Sequence, residues 1–386
     1  MNLLELIKNA PVEWKTIDEI SNKISSGGTP KTGISEYYDG DIPWLRTQEV
    51  DFGEIWDTAV KITEAGVKNS SANWIPANCI IIAMYGATVG KIGINKIPMT
   101  TNQACANVEI NDEIANYRYV FHYLFSQYEY IKSLGSGSQT NISAQIVKNL
   151  KIPIPTKEIQ EKIVEVLDKM TKYVTELTAE LTAELTMRKQ QYAYYRDLLL
   201  SEESLAKVGF EWKVLKEVCE INRGKRLVKS ELDKTGEYPV YQNSMIPLGY
   251  YDKYNFCGDS TFIVSAGSAG EIGYMSSDFW AADDVYVFQT NEILKSRFLY
   301  HFLLTKKNVI SSKVRRASVP RLSRTAFENL KIPIPPLPEQ ARIVKILDKF
   351  DTLINSISEG LPKEIELRQK QYEHYRNLLF EFNQNK

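Results

Sequence analysis

Cysteine and histidine are scarce in this chain, with 4 and 3 among 386 residues. Cys79, Cys105, Cys219 and Cys257 lie far apart. They form no CxxC pair and no cysteine–histidine cluster, so neither a disulfide framework nor a zinc site is expected, and a reducing cytoplasm is the natural home. No apolar run reaches the roughly eighteen residues of a transmembrane helix. The N-terminus, MNLLELIKNAPVEWK, lacks the basic, long apolar and small-residue segments of a secretory leader. The expectation is a cytoplasmic protein with no membrane partner. An excess of one charge is also lacking, since 47 Lys and Arg against 48 Asp and Glu leave a net charge of −1. Nucleic-acid binders usually carry a basic excess. Binding nevertheless needs only a local patch of positive potential, so the distribution of charge matters more than its total.

Catalytic signatures are missing as well. Gly86-Ala87-Thr88-Val89-Gly90-Lys91 resembles a phosphate loop, but it has one residue too few between its glycines, and Ile92 stands where Ser or Thr should follow the lysine. Gly267, Gly270 and Gly273 are spaced GxxGxxG, not as a dinucleotide site requires. Asp283 and Asp284 have no histidine or carboxylate cluster near them in sequence. They read as structural residues or as acceptors for a base amino group. His122, His301 and His374 are too scattered for a triad, and the first two sit in matching segments where packing explains them. No NPPY-like or DPPY-like methyltransferase loop and no PD…ExK nuclease pattern occurs. No catalytic residue, metal or cofactor is therefore expected.

What the chain does contain is itself, twice. NLKIPIP stands at 149–155 and again at 329–335, and the same offset continues without a gap. VLDK at 166–169 answers ILDK at 346–349, and RKQQYAYYRDLL at 188–199 answers RQKQYEHYRNLL at 368–379. Roughly two residues in five are identical over this stretch, too many for chance at one fixed offset. Two similar amphipathic helices would not explain an identical, non-helical NLKIPIP. Earlier blocks repeat more loosely: Glu13-Trp14-Lys15 recurs at Glu211-Trp212-Lys213, and Gly90-Lys91-Ile92-Gly93 at Gly270-Glu271-Ile272-Gly273. LGSGSQTNIS (134–143) aligns with VRRASVPRLS (314–323) but differs in its letters. One frame is used twice with different contents.

The segment Gln160–Leu200 has no proline or glycine. About forty residues at 1.5 Å each span about 60 Å of helix. Ile163, Leu167, Met170, Val174, Leu177 and Leu181 are spaced as a coiled-coil seam, and TELTAELTAELT then shifts that seam as a stutter does. The second copy carries Ile343, Leu347, Phe350, Ile354, Ile357 and Leu361, with Pro338 in its first turn. Gly360 and Pro362 should break or kink it. Two matched helices with a whole domain between them most simply form an intramolecular antiparallel coiled coil; the alternative is that each packs on its own domain. Their aromatic and basic ends, with Tyr192, Tyr195 and Arg196 in one and Tyr372, Tyr375 and Arg376 in the other, could dock a partner protein or pack against neighbouring domains.

Between these helices the chain alternates short β-like runs, such as Ile80–Ala83 and Thr261–Val264, with turns and one helical stretch per copy, Tyr117–Tyr130 and Ser296–Thr305. The fold class expected is α/β (α+β): two globular domains with mixed sheets, related by internal duplication as a pseudo-two-fold. The division is 1–155, helix 156–201, 202–335 and helix 336–386. Polar, glycine-rich loops are where recognition can reside. In the first domain they offer Gly28, Thr29, Lys31, Arg46, Thr47, Tyr85, Thr88, Lys91, Asn102, Gln103, Ser138, Gln139 and Asn141. In the second they offer Arg223, Lys225, Arg226, Asn243, Ser244, Ser268, Asp284, Arg315, Arg316, Arg321 and Arg324. Arginine suits guanine and phosphate, Asn and Gln suit adenine, and backbone N–H groups in glycine loops suit phosphate. Loops of this kind are more often merely solvated, and the first domain, with more acids than bases, is the weaker candidate on charge.

Taken together these segments resemble the specificity subunits of type I restriction-modification enzymes, over essentially the whole chain. The resemblance is carried by GGTPKTGISEYYDGDIPWLRTQEV (27–50), by GKRLVKSELDKTGEYPVYQNS (224–244) with GYYDKYN (249–255), and most specifically by PLPEQARIVKILDKFDTLI (336–354). TAELTAEL (178–185) and EGLPKEIELRQKQYEHYRNLLF (359–380) resemble the type IC branch. The family implies a non-catalytic subunit whose two target-recognition domains each read one half of a bipartite, asymmetric site in double-stranded DNA. It implies helices that act as a ruler and bind two modification subunits, which carry S-adenosylmethionine and methylate adenine, while restriction subunits join the complex. A self-contained methyltransferase or nuclease would need catalytic loops that this chain lacks. A coiled-coil scaffold would not need two diverged loop sets.

Overall fold

The computed structural model describes residues 3–135, 141–233, 235–355 and 360–382. The chain forms two compact units: residues 1–179 with 366–386, and residues 180–365. The units cut across the linear division because the tail of the chain returns to the first unit. Among the described residues no helix is long and apolar enough to cross a membrane.

The repeated words in the sequence are repeated strand pairs. Glu13–Thr16 runs antiparallel to Lys151–Ile154 with Trp14 opposite Pro153. Glu211–Val214 runs antiparallel to Lys331–Ile334 with Trp212 opposite Pro333. EWK and KIPI therefore recur together because they are partners, and each pair ties the first strand of a domain to its last.

In unit 1 the main sheet is ordered Ser21–Ser26, Cys105–Ile110, Ile80–Ala83, Ile92–Asn95, Glu54–Ile55, with only the last pair parallel. A smaller four-stranded sheet contains Tyr38–Leu45 and Met99–Thr101. Side chains alternate faces along a strand, which explains why Ile80–Ala83 is buried throughout. Ile80 and Ile82 enter the core beneath the helix Tyr117–Ser126, while Ile81 and Ala83 enter a second core with Leu45 and Met99. Unit 2 repeats this with an all-antiparallel sheet, Cys219–Arg223, Val285–Thr290, Ser260–Val264, Ile272–Met275. There Ile263 faces the core of helix Ser296–Thr305, and Phe262 and Val264 face Phe256 and Phe279. Among the described residues of unit 2, parallel pairing is confined to the small sheet, between Tyr238–Tyr241 and Trp280–Ala281. The helical stretch expected over Tyr117–Tyr130 is interrupted at Gln127, and a second helix runs Tyr128–Ser133.

The first long helix is unbroken over Lys157–Leu199. The second is split into Leu337–Asn355 and Leu361–Leu378, as Gly360 and Pro362 foretold. Ile357 lies outside the described residues. Both sequence alternatives for the helices hold, in different turns. Ile163 and Leu167 are fully buried in the core of the first domain, and Ile343 and Leu347 in that of the second. Beyond them the helices pair. In unit 1 Thr171 Oγ1 lies 2.8 Å from Tyr372 Oη. In unit 2 Tyr195 stacks on Phe350 with ring centroids 5.5 Å apart. The earlier half of one helix thus meets the later half of the other and the reverse, which is antiparallel pairing.

Each helix is joined to its domain by the same two polar devices. Gln160, fully buried, accepts from Asn116 N–H at 2.8 Å and donates to Pro155 C=O at 2.9 Å. Gln340, also fully buried, accepts from Lys295 N–H at 2.9 Å and donates to Pro335 and Ile293 C=O at 2.9 and 2.8 Å. Two turns on, Asp168 receives Arg118 Nε and Nη2 at 2.7 and 2.8 Å and lies 2.8 Å from His122 Nε2. Asp348 receives Arg297 Nε at 2.7 Å and lies 2.7 Å from His301 Nε2, while Arg297 also reaches Asp351 at 2.6 Å. The copies differ around the arginine and the histidine. Arg118 gives its remaining nitrogen, Nη1, to Glu54 at 2.6 Å, and His301 Nδ1 lies 3.0 Å from Tyr192 Oη, whereas His122 Nδ1 has no hydrogen-bond partner among the described residues.

Burial holds the His301 imidazole below its ordinary value against the opposing pull of Asp348. Burial also opposes the charge on Asp348, but hydrogen bonds from His301 and Arg297 prevail and lower its value. A neutral His301 donates from Nε2 and accepts at Nδ1. A histidine depressed in the fold is protonated first in the unfolded chain, so its contribution is complete above about pH 6.5 and is lost below it. The contribution of Asp348 is lost in turn as pH falls through its depressed value. Unit 2 should therefore lose stability from pH 7 to pH 5, read as a falling denaturant midpoint; a flat midpoint contradicts this joint. Tyr192→Phe, which removes the hydroxyl at Nδ1, should cost about 0.5–1.5 kcal/mol.

Candidate nucleic-acid interface

Loops that are distant in sequence converge at one end of each domain, and the backbone bonds that gather them are the same in both. Gly28 N–H donates to Thr101 C=O at 2.9 Å, and Lys225 N–H to Ala281 C=O at 3.0 Å. Asn102 N–H donates to Leu45 C=O at 2.9 Å, and Ala282 N–H to Tyr241 C=O at 2.8 Å. Met84 N–H donates to Ala104 C=O at 2.8 Å, and Ser265 N–H to Asp284 C=O at 2.7 Å. Ile142 N–H closes on Met84 C=O at 3.0 Å, and Leu322 N–H on Ser265 C=O at 2.8 Å. Glycine is required at the first crossing: a Cβ on Gly224 would stand 2.3 Å from Ala281 O, and one on Gly27 would be nearer still to Thr101 O. An indole pins this loop in both domains from different strands. Trp44 Nε1 donates to Gly28 C=O at 2.9 Å and Trp280 Nε1 to Lys225 C=O at 3.0 Å.

The side chains on this shared frame differ. In the first domain Thr29 and Gln103 hydrogen-bond each other at the surface, and Thr88 Oγ1 donates to Thr47 C=O at 2.8 Å. Tyr85 is 41% exposed. Asn102 and Asn141 are half-buried, and Gly28 is buried as part of the frame. Arg46 Nε lies 3.5 Å from Glu49 and Lys91 Nζ lies 2.7 Å from Asp51, so both charges are balanced locally. Lys31 is exposed with no acidic partner among the described residues. Ser138 and Gln139 lie outside the described residues.

In the second domain Arg223 Nε donates to Asp283 C=O at 2.6 Å, and Arg324 pairs with Glu328 at 2.9 Å. Lys225, Arg226, Arg315, Arg316 and Arg321 are exposed, and among the described residues their side chains have no acidic partner. Asn243 and Ser268 are exposed and joined through backbone, Ser268 N–H to Asn243 C=O at 2.9 Å. Ser244 and Asp284 are half-buried beside them. Nearly all the unpaired positive charge of the two loop sets therefore sits on the second, although the chain as a whole is neutral within one unit.

The aromatic and basic helix ends behave otherwise than an exposed docking strip. Tyr192, Tyr372 and Arg376 are 5, 8 and 6% exposed. Arg376 lies over Phe125 at 4.1 Å, and Leu379 and Phe382 complete the core of unit 1. For these three residues, packing against a domain of the same chain is the outcome. Tyr195 and Tyr375 remain 36 and 46% exposed, with Arg196 half-buried. Sequence reading missed Gln160, Gln340, Asp168 and Asp348, although their recurrence in the repeat was the available signal. Cys79, Cys105 and Cys219 are buried, and burial pushes each thiol up to about 12. Among the described residues no group of three or more His, Cys, Asp or Glu is placed to hold a metal ion.

Comparison with known proteins agrees with this duplicated architecture. The family described as "Type I restriction modification DNA specificity domain" matches residues 11–187 and again 207–367. A putative type I restriction enzyme specificity subunit from Haemophilus influenzae is 32% identical over 98% of both chains. The EcoprrI specificity subunit of Escherichia coli is 31% identical over 92% of both. Among solved structures, one from a type I restriction-modification system aligns over 96% of this chain and 98% of its own, with TM-score 0.69 at 17% identity. The Mycoplasma genitalium S subunit aligns over 98% of both chains, with TM-score 0.56 at 20% identity. These two likenesses concern the fold. With two domain matches and relatives aligned over nearly its whole length, the chain belongs to the family of type I restriction-modification DNA specificity subunits.

Proposed function

We propose that this chain is the non-catalytic reader of its complex. Each domain recognises one half of a bipartite, asymmetric site in double-stranded DNA, and the paired helices fix the separation of the halves. The helices also hold two adenine-methylating modification subunits, to which restriction subunits attach, in the cytoplasm. The observation that carries the reading is the loop frame: the same four backbone bonds in each domain present different side chains. A frame kept while its contents change suits two targets read by one device. Tyr195, Tyr375 and Arg196 are the helix-end residues left accessible for a modification subunit; Tyr192, Tyr372 and Arg376 support them from within.

Exchange of residues 208–335 for the equivalent domain of a relative tests the modular reading. The methylated motif should change in one half only, and the half read by 12–155 should persist. Loss or change of both halves overturns it.

The unequal charge yields a second test, on the assembled methyltransferase. Lys225→Gln with Arg226→Gln should weaken binding and reduce the slope of log K against log salt by about 0.9 for each phosphate no longer neutralised. Lys91→Gln should leave the slope nearly unchanged, because Asp51 already balances that charge. A slope unchanged by the double substitution would show that these cations are not at the interface, and an equal loss on Lys91→Gln would show that local pairing does not decide which cations bind.

The tandem TAEL at 178–185 tests the ruler. A third copy lengthens the helix by about 6 Å and turns it about 40° beyond a full revolution. Since a base pair rises about 3.4 Å, the spacer should grow by one to two base pairs with both half-sites intact. An unchanged spacer removes the ruler role.

A further inference from the structure

The chain between Val314 and Leu322 folds back on itself. Arg315 N–H donates to Arg321 C=O at 2.8 Å, and Arg321 N–H to Arg315 C=O at 3.0 Å. Residues that exchange both bonds project their side chains from the same face, with Cβ atoms about 5 Å apart. Two guanidinium stems therefore start side by side, and among the described residues neither has an acidic partner. Like charges directly opposite destabilise such a pair, and arginine cannot relieve the repulsion by losing its proton. An anion seated between them turns the repulsion into attraction.

Arg316, the residue after the bridge, lies on a different side: it lines a cleft of about 700 Å3 with Ser244, Met245, Ile246, Ser268, Pro320 and Glu271, a cleft that neither Arg315 nor Arg321 lines, and Glu271 is already paired with Lys307 at 2.8 Å. The cleft is held open by backbone. Gly267 N–H donates to Pro320 C=O at 3.1 Å, and Gly267 takes a positive φ of 75° to do so. Ser244 Oγ donates to Ile246 C=O at 2.8 Å and accepts from Ile246 N–H at 3.2 Å. That turn presents Ile246 at 77% exposure, the most exposed large hydrophobic side chain among the described residues of unit 2. An exposed apolar tip beside an arginine with no acidic partner matches one surface well. In the major groove guanine offers two acceptors to arginine, thymine offers a methyl group to an apolar side chain, and the groove admits a two-stranded ribbon.

We propose that the two faces of this hairpin divide the reading of one half-site. Arg315 and Arg321 clamp a backbone phosphate, while Arg316 and Ile246 read a guanine and a neighbouring thymine methyl. This rests on the reading above that the second domain contacts DNA. It is tested with the assembled methyltransferase by methylome sequencing and by binding across salt concentrations. Arg315→Gln with Arg321→Gln should reduce the salt slope by about 0.9 while the methylated motif keeps its bases. The same pair should raise the thermal midpoint of the DNA-free chain, a readout that needs no DNA. Arg316→Gln should lower discrimination at one G·C pair of that half-site by about 10- to 100-fold, Ile246→Ala should relax an adjacent position, and the other half-site should stay unchanged. If Arg316→Gln weakens all sequences equally, or the Arg315 and Arg321 pair changes the bases read, the division of labour is wrong. A motif that follows exchange of the whole domain but ignores Arg316 and Ile246 overturns this proposal alone. A motif indifferent to the exchange overturns the broader reading.

Discussion

The structure depends on a rigid joint between each domain and its long helix. A buried glutamine grips the loop that leads into the domain helix, and two turns later an aspartate binds an arginine and a histidine of that helix. Buried polar groups are costly unless satisfied, so Gln160 and Gln340 accept few other arrangements. The joint fixes each domain against its own stretch of helix, and without it that stretch would be a tether. The terminal strand pairs of Glu13–Thr16 and Glu211–Val214 with the KIPI segments reinforce it, because the helix begins directly after the strand that closes each domain.

Much of this was legible in the sequence because duplication prints long-range contacts as repeated words. NLKIPIP and EWK recur at matching places, and their pairing needed only the recognition that a repeated non-helical segment requires a repeated partner. The buried strands Ile80–Ala83 and Thr261–Val264 and the helix break at Gly360 were legible for local reasons, hydrophobic run and backbone chemistry. Convergence of the loops was not, since it is fixed by backbone bonds such as Gly28 to Thr101 and Ser265 to Asp284 that leave no trace in side-chain type. Charge balance was hidden for a similar reason: Lys91 reads as a free cation until the fold brings Asp51 to it. The fate of Tyr192, Tyr372 and Arg376 was undecidable by composition, because an amphipathic aromatic–basic strip suits a partner and a domain surface equally well.

The two loop sets represent two solutions on one frame. The first is mostly neutral, with hydroxyls, amides and locally paired charges. The second concentrates unpaired arginine and lysine around an exposed apolar tip. A neutral reader gains discrimination from hydrogen bonds whose loss leaves buried polar groups unpaired; a cationic one gains affinity through counterion release, which falls with salt. Two halves of unlike charge can share these roles, which reconciles the proposed DNA contacts with a chain of net charge −1.

One duplicated frame that reads two different sequences at a fixed separation leaves a direct record in the methylated DNA. Single-molecule sequencing of methylated adenines in DNA from cells carrying the complete system measures this directly. The expected result is one motif of two unlike half-sites separated by a constant number of unspecified base pairs. A single contiguous motif, two identical halves, or a variable gap would contradict it.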